Sequence, residues 1–524
     1  MNKKKIIMII SIVVILLVAI VGVIIYSIKN GKKASDYVGG VDDVDFSSYE
    51  TSYITSSQTI TSGGIYNISG DISGSITINA AGKDVKLVLN NANITATDGP
   101  AIYVIEADNV YIELNGKNTI NSTTIDELNG AIYSMSDLCI VGSGSLDITS
   151  NLDGIVSKDD LEIDEGTITI TSGDDGIVGK DSVYILNGNI TINSTGDGIK
   201  TTNTEERGVI TILDGNIDIT SDKDGIQSEE TITIQGGNIK IYTGEGLNGK
   251  KSIDYSMKGI KSEGDITITG GTIEVIATDD AIHSNSNIII QGGTISVQST
   301  DDGIHADGDV TISDGSVDVV KSSEGIEGFN ITIAGGDIKV KAIDDGLNAS
   351  DGVDPNGQGN QSYTSKSTLT ISGGTLYVNS SGDGLDSNGN IFISGGTTYV
   401  DGPTTNDNSA IDYGDGSSYK FEITGGTLVA VGAKGMSVKP TSGTTVTTVL
   451  INTENAYKGK ITFGNVTYEP SKAYNSVLIC SNELSVGNTY DYKINNITIE
   501  TITLSDKITV FGTVGNDGGP QGRR

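Results

Sequence analysis

The chain has 524 residues, a formal net charge of −34, 70 glycines, two histidines, two cysteines and no tryptophan. This excess of acidic side chains argues against a nucleic-acid partner, because phosphate groups would be repelled. Two cysteines are too few for a disulfide framework, and the high glycine content argues against a helical protein.

Residues 1–33 are predicted to form a signal-anchor. Three lysines precede the run from Ile6 to Ile28, which is 23 residues long without a charge and could cross a bilayer of about 30 Å as a helix. A small-residue cleavage site is not evident. We therefore expect a single-pass membrane helix with the rest of the chain on the extracellular face of the plasma membrane. Cleavage within residues 27–34, which would release a secreted protein, stays open.

Residues 34–58 are rich in Ser and Asp and are predicted to be a polar linker. From 59 to 440 a degenerate unit recurs, and its marker is the glycine of an Asp-Gly-Ile element. Neighbouring markers are most often 22 residues apart, as for Gly154, Gly176 and Gly198. A repeat of this length is typical of a solenoid.

One unit predicts the type of solenoid. Val310 and Ile312 alternate with polar residues, Val317 and Val319 do the same, and Ile326 follows the next marker glycine. Each is a short strand with its apolar side chains inward. We predict an all-β protein, a right-handed parallel β-helix with about 22 residues and three strands per coil.

The marker disappears near residue 441, although strand-like runs continue. Residues 441–514 are predicted to form a C-terminal β cap, and residues 515–524 a flexible tail.

Acidic residues recur at the same corner of successive coils. Stacked carboxylates about 4.8 Å apart repel by roughly 3 kcal/mol per pair at an effective dielectric of 20. Calcium would neutralise them with oxygen ligands from two coils, whereas zinc prefers His or Cys, of which there are two each. Alternatively, Asp-Gly is only good turn chemistry, with the glycine at positive φ. The candidate calcium ligands are Asp174, Asp175, Asp197, Asp224, Asp279, Asp280, Asp301, Asp302, Asp307, Asp344, Asp345, Asp383 and Asp386.

Six outward side chains are candidates for ligand binding. His283 and His305 are 22 residues apart and should stack on an outward face, either as ligand contacts or as a solvated pair. Tyr377 and Tyr399 have the same spacing and could form a sugar-stacking platform or a cross-strand pair that only stabilises the sheet. The last two candidates are Lys200 and Lys261, which follow Gly-Ile elements.

Three coils are longer than the rest, with the extra residues near 201–207, 244–257 and 351–366. Because insertions in solenoids collect on the functional side, we expect them to flank a groove above the acidic strand.

A composite motif runs from Ile290 to Asp309: Ile-Xaa-Gly-Gly-Thr-Ile-Xaa-Val, then Asp-Asp-Gly-Ile-His-Ala-Asp-Gly-Asp. Residues 60–440 thereby resemble the bacterial carbohydrate-binding β-helix family that binds cellulose and acidic sugars. That family is similar in fold to calcium-dependent pectate lyases. The resemblance implies a β-helix with calcium at the Asp-Gly corners.

These features together predict a calcium-dependent, cell-surface protein that binds plant cell-wall polysaccharide, either an acidic one such as polygalacturonate (pectin) or cellulose, without being an enzyme. One alternative is a polysaccharide lyase in which Lys200 or Lys261 abstracts a proton. The other is a structural adhesin whose calcium only stiffens the coil.

Overall fold

The computed structural model describes residues 40–124, 127–205, 207–350 and 365–513. The predicted segment 1–33, the predicted tail 515–524 and most of the longest insertion lie outside these ranges. Within them, no helix is long and apolar enough to cross a membrane.

The chain winds into a coil with three parallel strand stacks, which we name faces A, B and C. A strand on each face pairs with the equivalent strand of the next coil, as Ile177 with Ile199 on face C. Val310–Ile312 on face A, Ser316–Ser322 on face B and Ile326–Gly328 on face C make one coil. The predicted all-β, parallel, three-stranded coil is therefore confirmed; its right-handed sense stays a prediction.

Face A contains Asn109–Asn115, Asp137–Val141, Asp160–Ile163, Ser182–Ile185, Val209–Ile212, Ile232–Ile234, Ile266–Ile268, Ile288–Ile290, Val310–Ile312, Asn330–Ile333, Thr368–Ile371, Asn390–Ile393 and Phe421–Ile423. Face B contains Lys117–Ser122, Ser145–Ser150, Thr167–Ser172, Asn189–Ser194, Asn216–Ser221, Asn238–Thr243, Thr272–Ala277, Thr294–Ser299, Ser316–Ser322, Asp337–Ala342, Thr375–Ser380, Thr397–Asp401 and Thr427–Gly432. Faces A and B join into one 32-stranded sheet because the long strand Val85–Ala96 pairs with strands of both.

Face C is a separate 14-stranded sheet. Its strands are Gln58–Ile60, Ile76–Asn79, Ile102–Glu106, Gly130–Ser134, Asp153–Ser157, Ile177–Gly179, Ile199–Thr201, Ile226–Ser228, Ile260–Ser262, Ile282–Ser284, Ile304–Ala306, Ile326–Gly328, Leu347–Ala349 and Leu385–Ser387.

Identical inward positions stack along the coil axis to form the core. Ile288 and Ile290 lie against Val310 and Ile312 of the next coil, and all four are fully buried. Burying an isoleucine of this kind contributes roughly 1.5 to 3 kcal/mol, so the repeated apolar stripe stabilises the coil even though each layer is thin.

The marker glycines are required for space. A Cβ on Gly303 would lie 2.5 Å from Val319 Cγ1 and 2.7 Å from the carbonyl oxygen of Gly325, and Gly303 does not have a positive φ. Positive φ occurs instead at a different corner, for example 89° at Gly293. The plain-turn alternative, in which the glycine of the Asp-Gly corner takes a positive φ, therefore does not hold at Gly303; glycine is needed there because the next coil approaches closely.

The expected linker 34–58 is partly structured. Within its described residues, a short 3₁₀ turn covers Phe46–Ser48, and Thr51–Ile54 pairs with the strand Gly64–Ser73. Val41 and Phe46 are buried against face A beside Tyr111. The second short 3₁₀ turn is Gly246–Asn248, in the middle insertion.

Parallel stacking ends at Thr427–Gly432, which pairs antiparallel with Tyr474–Cys480. The sheet continues with Thr448–Tyr457 and Ile508–Phe511. A four-stranded antiparallel sheet packs beside it and consists of Ile461–Phe463, Val466–Tyr468, Thr489–Ile494 and Ile497–Thr503.

Candidate functional site

Most of the aspartates that precede marker glycines belong to a ladder of hydrogen bonds between successive coils. The Asp197 backbone N–H donates to Asp175 Oδ1 at 2.7 Å, and the Asp224 N–H donates to Asp197 Oδ1 at 2.9 Å. The same bond joins Asp175 to Asp153, Lys258 to Asp224, Asp302 to Asp280 and Asp383 to Asp345. These carboxylates are buried, and one oxygen of each satisfies a backbone donor that would otherwise be orphaned. Part of the acidic column therefore has a structural role.

Lysines neutralise two of the predicted metal corners. Lys200 Nζ lies 2.8 Å from Asp197 Oδ2 and 3.5 Å from Asp175 Oδ2. Burial alone would lower the pKa of Lys200, but these two carboxylates raise it above its ordinary value. Lys258 stands where the ladder lacks its aspartate, and its ammonium contacts Asp279 at 3.2 Å and also Asp280.

The insertions also deliver cations. Lys251, in the middle insertion, contacts Asp279 at 3.0 Å and also Asp301. Lys223, which lies outside the insertions, is 3.4 Å from Asp174. The first insertion sends Arg207 to the other corner of the coil, 2.8 Å from Asp181 and 3.2 Å from Asp160. These described insertion residues act as ion-pair partners of the acidic columns.

The two histidines are neighbours in register on face C, with ring centroids 4.8 Å apart in an edge-to-face arrangement. His283 is buried, 8% exposed, with Nδ1 2.9 Å from Asp280 Oδ2 and Nε2 2.8 Å from Asn285 Oδ1. His305 Nδ1 lies 3.4 Å from Asp302 Oδ2. A solvated surface pair therefore does not describe His283.

The charge of His305 is set by the surrounding carboxylates. Burial would lower the pKa of His305, but Asp280, Glu327 and Asp302 raise it to about 9. Burial would likewise raise the pKa of Asp280, yet His283, His305 and Lys258 hold it well below its usual value. Asp280 is therefore a fixed anion among cationic groups, and the neighbouring Lys258 ammonium leaves little electrostatic reason for a metal there.

An acidic cluster follows at the next coil. Asp302, His305 and Glu327 bring ligand atoms within 4.8 Å of one another, and Asp307 Oδ1 lies 3.7 Å from His305 Nε2. Burial, followed by the charges of Asp280 and Glu327, raises the pKa of Asp302 to about 8. Burial and Glu327 raise the pKa of Glu324 to about 7, although the Asn348 side chain donates to it at 2.8 Å.

At each of two corners, a pair of aspartate carboxylates lies over a glycine, an arrangement that we name a carboxylate cradle. A Cβ on Gly196 would lie 2.4 Å from Asp174 Oδ1 and 2.3 Å from Asp175 Oδ1. A Cβ on Gly382 would meet Asp344 Oδ1 and Asp345 Oδ1 at the same two distances, 2.4 Å and 2.3 Å. In each cradle two carboxylate oxygens converge over backbone that only glycine leaves open.

The cradles differ in the outward residue of the face C strand that follows. Register runs unbroken along this position through Lys200, Gln227, Lys261, His283, His305, Glu327, Asn348 and Asp386. Asp386 therefore holds, relative to Asp345 and Asp383, the place that Lys200 holds relative to Asp175 and Asp197. Asp345, Asp383 and Asp386 are all buried. The second cradle has a carboxylate where the first has an ammonium group.

The remaining lysine candidate, Lys261, lies on face C between these cradles. Its Nζ is 3.3 Å from Glu263 Oε1, and both side chains are partly exposed. It shares the outward row with Lys200 but has no contact of its own with a ladder aspartate among the described ion pairs.

The tyrosine pair is not an open platform. Tyr377 and Tyr399 are register partners on face B, as the spacing predicts. Tyr399 stacks on Tyr468 of the C-terminal region, with centroids 4.6 Å apart and planes 13° apart. The Tyr377 hydroxyl donates to Asp401 Oδ2 at 3.0 Å. The C-terminal region thus covers the Tyr399 ring, and the Tyr377 hydroxyl is held by Asp401, which also accepts from Tyr468; both contacts favour the stabilising alternative.

Two acidic groups on face A were missed by the sequence analysis. Asp137, Asp159 and Asp160 converge at one corner, and burial followed by Asp159 raises the pKa of Asp137 to about 7. Cys139, Glu162 and Asp164 converge beneath the segment that includes Val41. These residues lack the Asp-Gly marker, and only their register across coils, such as Cys139 with Glu162, could have linked them.

Comparisons with known proteins agree with the predicted resemblance. A family model described as "Carbohydrate-binding domain-containing protein" matches residues 55–303 and 293–404, which is more than half of the chain. A protein of that description from Acetivibrio thermocellus is 35% identical over 117 residues, which is 20% of this chain and 41% of the relative. The matched region therefore spans less than half the length of that relative.

A polysaccharide lyase-like protein from C. thermocellum, solved as a gadolinium derivative, has 31% sequence identity to this chain. The superposition covers 43% of this chain and 91% of that chain, with a TM-score of 0.37. The fold described above does not depend on this superposition, because it follows from the register of this chain's own strands. On the strength of the family match, the chain belongs to the carbohydrate-binding domain-containing protein family.

Proposed function

We propose that the protein binds an acidic polysaccharide such as polygalacturonate along face C, without cleaving it, and that calcium joins sugar carboxylates to the cradle of Asp344 and Asp345. The observation that carries this proposal is the replacement of Lys200 by Asp386 at equivalent positions of two otherwise matching cradles. At that register position the second cradle has a carboxylate in place of the ammonium group, and calcium would supply a positive charge there.

The residues of the second cradle fit calcium. Asp344 and Asp345 direct oxygens over Gly382, and Asp383 and Asp386 add carboxylates from the following coil. Calcium accepts six to eight oxygen ligands in flexible geometry, and a bound ion with open positions can also take sugar carboxylates. The charge on the ion allows an anionic glycan to approach an anionic protein.

Other outward residues of face C support the same ligand class. Lys200, Lys261 and His305 lie in one row on the same sheet, and the pKa of His305 is raised to about 9 by its carboxylate neighbours despite the opposing effect of burial. Cations in a row parallel to the coil axis complement the repeated carboxylates of a polyuronate.

The protonation of Lys200 favours binding over the lyase alternative. A proton-abstracting lysine must be neutral when it acts, but Asp197 and Asp175 raise the pKa of Lys200 despite its burial. An assay for unsaturated uronide products addresses this alternative. We expect no turnover in calcium; robust turnover that is lost on Lys261→Ala would favour the lyase.

We also propose a location at the cell surface, based on the uncharged run within residues 1–33. Intact-mass measurement of the membrane fraction checks this. A full-length mass in membranes fits an anchor, whereas a shortened mass in the medium fits cleavage and secretion.

Affinity electrophoresis in gels containing polygalacturonate tests the proposed function. The wild-type chain should be retarded in calcium and released by a calcium chelator, and Asp386→Asn should weaken the retardation. Asp218→Asn, at an exposed face B position, makes the same change in charge and should migrate as the wild type. Equal migration of the wild type with and without the polysaccharide would instead favour a structural adhesin.

A further inference from the structure

A second candidate metal site lies on face A, away from the carboxylate cradles. We propose that Cys139, Glu162 and Asp164 bind a divalent ion of the zinc class beneath the segment formed by residues 41–49. The proposal concerns a different metal and a different face, so it stands independently of the proposed polysaccharide binding.

The three side chains meet through strand register. Cys139 and Glu162 are direct partners on the neighbouring strands Asp137–Val141 and Asp160–Ile163, and both side chains point outward from the core. Asp164 directly follows the second strand. The Cys139 sulfur and one carboxylate oxygen from each acid lie within 4.8 Å of one another.

Two oxygens in this cluster lack a donor. Glu162 is 5% exposed, and its Oε2 is buried with no hydrogen-bond partner among the described residues. The same holds for Asp164 Oδ1. Leaving two buried carboxylate oxygens without a donor costs about 1 to 3 kcal/mol each or more; a cation bound between them and the thiol would remove that cost, as would a proton shared by the two acids.

The covering segment strengthens the argument. Val41 and Phe46 are buried here, and the Tyr111 hydroxyl donates to the backbone carbonyl of Asp42. The segment packs over the cluster through Val41 and Phe46 and also carries the exposed acids Asp42, Asp43 and Asp45, so a cation held beneath it would attract the segment as well as the cluster.

The donor set selects the metal class. A thiolate ligand disfavours calcium and magnesium, which prefer oxygen, and favours zinc or cobalt. Three protein ligands with one open position form a common zinc arrangement. The sequence has only two histidines and two cysteines, which argued against a zinc site. The strand register nevertheless places Cys139 beside two carboxylates, so one cysteine is enough for this mixed set of ligands.

Cobalt titration of the full chain tests the site. The protein is stripped with a chelator and titrated in excess calcium, which occupies oxygen-only sites. We expect one equivalent of Co²⁺ with a thiolate-to-cobalt charge-transfer band. Cys139→Ser should abolish the band, and Glu162→Gln should weaken Co²⁺ binding by roughly 10-fold or more. Cys480→Ser, at the other buried cysteine, should leave the band unchanged.

A second measurement needs no variant. Under mild denaturant, Zn²⁺ should slow alkylation of Cys139 and leave alkylation of Cys480 unchanged, as read by peptide mass spectrometry. The proposal is wrong if Co²⁺ gives no thiolate band, if the band survives in Cys139→Ser, or if Zn²⁺ does not protect Cys139. If Co²⁺ gives no thiolate band and Zn²⁺ also does not protect Cys139, Glu162 and Asp164 share a proton and bind no metal.

Discussion

Lys200 and Asp386 occupy the same outward position of face C, several coils apart, and carry opposite charges beside matching carboxylate cradles. The first cradle is neutralised within the chain by Lys200. The second has only carboxylates at the corresponding positions. This difference separates a corner that is stable without metal from one that we expect to respond to calcium.

Exchanging the charge in the second cradle should remove its dependence on calcium. Asp386→Lys places an ammonium group where Lys200 stands in the first cradle, so the variant should melt at the same temperature in calcium and in chelator. The wild type should melt higher in calcium. Thermal unfolding in both buffers measures this, and a calcium shift of wild-type size in Asp386→Lys would contradict the proposed site.

Removing the cation from the first cradle should destabilise the fold. Lys200→Gln leaves Asp175 and Asp197 buried without their ion-pair partner. We expect a loss of about 2 kcal/mol, below the roughly 3 to 5 kcal/mol of a fully buried pair because Lys200 is partly exposed. Denaturant unfolding gives the value. Lys240→Gln, an exposed lysine on face B, should change stability by less than about 0.5 kcal/mol.

Stability should fall as the pH rises when calcium is absent. Burial, Asp280 and Glu327 raise the pKa of Asp302 to about 8, and burial with Glu327 raises that of Glu324 to about 7. Between the ordinary carboxyl pKa near 4 and these values, the folded state binds more protons than the unfolded state, so the slope is negative.

Melting temperatures in chelator from pH 5 to pH 8 check this slope. Asp302→Asn removes one titrating group and one like charge, so the variant should lose less stability than the wild type over this range. Identical slopes for the two proteins would show that Asp302 is ionised throughout this range and would contradict its raised pKa.

The tyrosine pair should affect stability and leave sugar binding unchanged. Tyr377→Phe removes the hydroxyl that donates to Asp401, whose carboxylate also accepts from Tyr468 and Ser471. We expect a loss of about 1 to 2 kcal/mol, because the bond is to a charged acceptor. Retardation by polygalacturonate should equal that of the wild type; a clear loss of retardation would restore the sugar-stacking interpretation.

The repeat itself was predictable because it is local in sequence. Alternating apolar residues such as Val310 and Ile312 predict each strand, and the spacing of about 22 residues predicts which strands stack. The positions of the marker glycines were predicted correctly, but the reason that glycine is required there was not. Gly303 is needed because the next coil approaches closely, a contact that no single coil reveals.

The ion pairs of the site could not be predicted in the same way. Lys251 and Arg207 come from insertions, and each contacts acidic residues about two coils away, such as Asp301 and Asp160. Where an insertion folds is not set by the repeat. Residues 34–58 were predicted to be a linker because most of them are polar. Two apolar residues in this segment, Val41 and Phe46, nevertheless pack it against face A.

A crystal structure of the full chain grown in calcium tests the central claim most directly. We predict anomalous density for one calcium over Gly382, coordinated by Asp344 and Asp345, and none at the matching position over Gly196, where Lys200 supplies the charge. Density at both cradles, or at neither, would contradict the account.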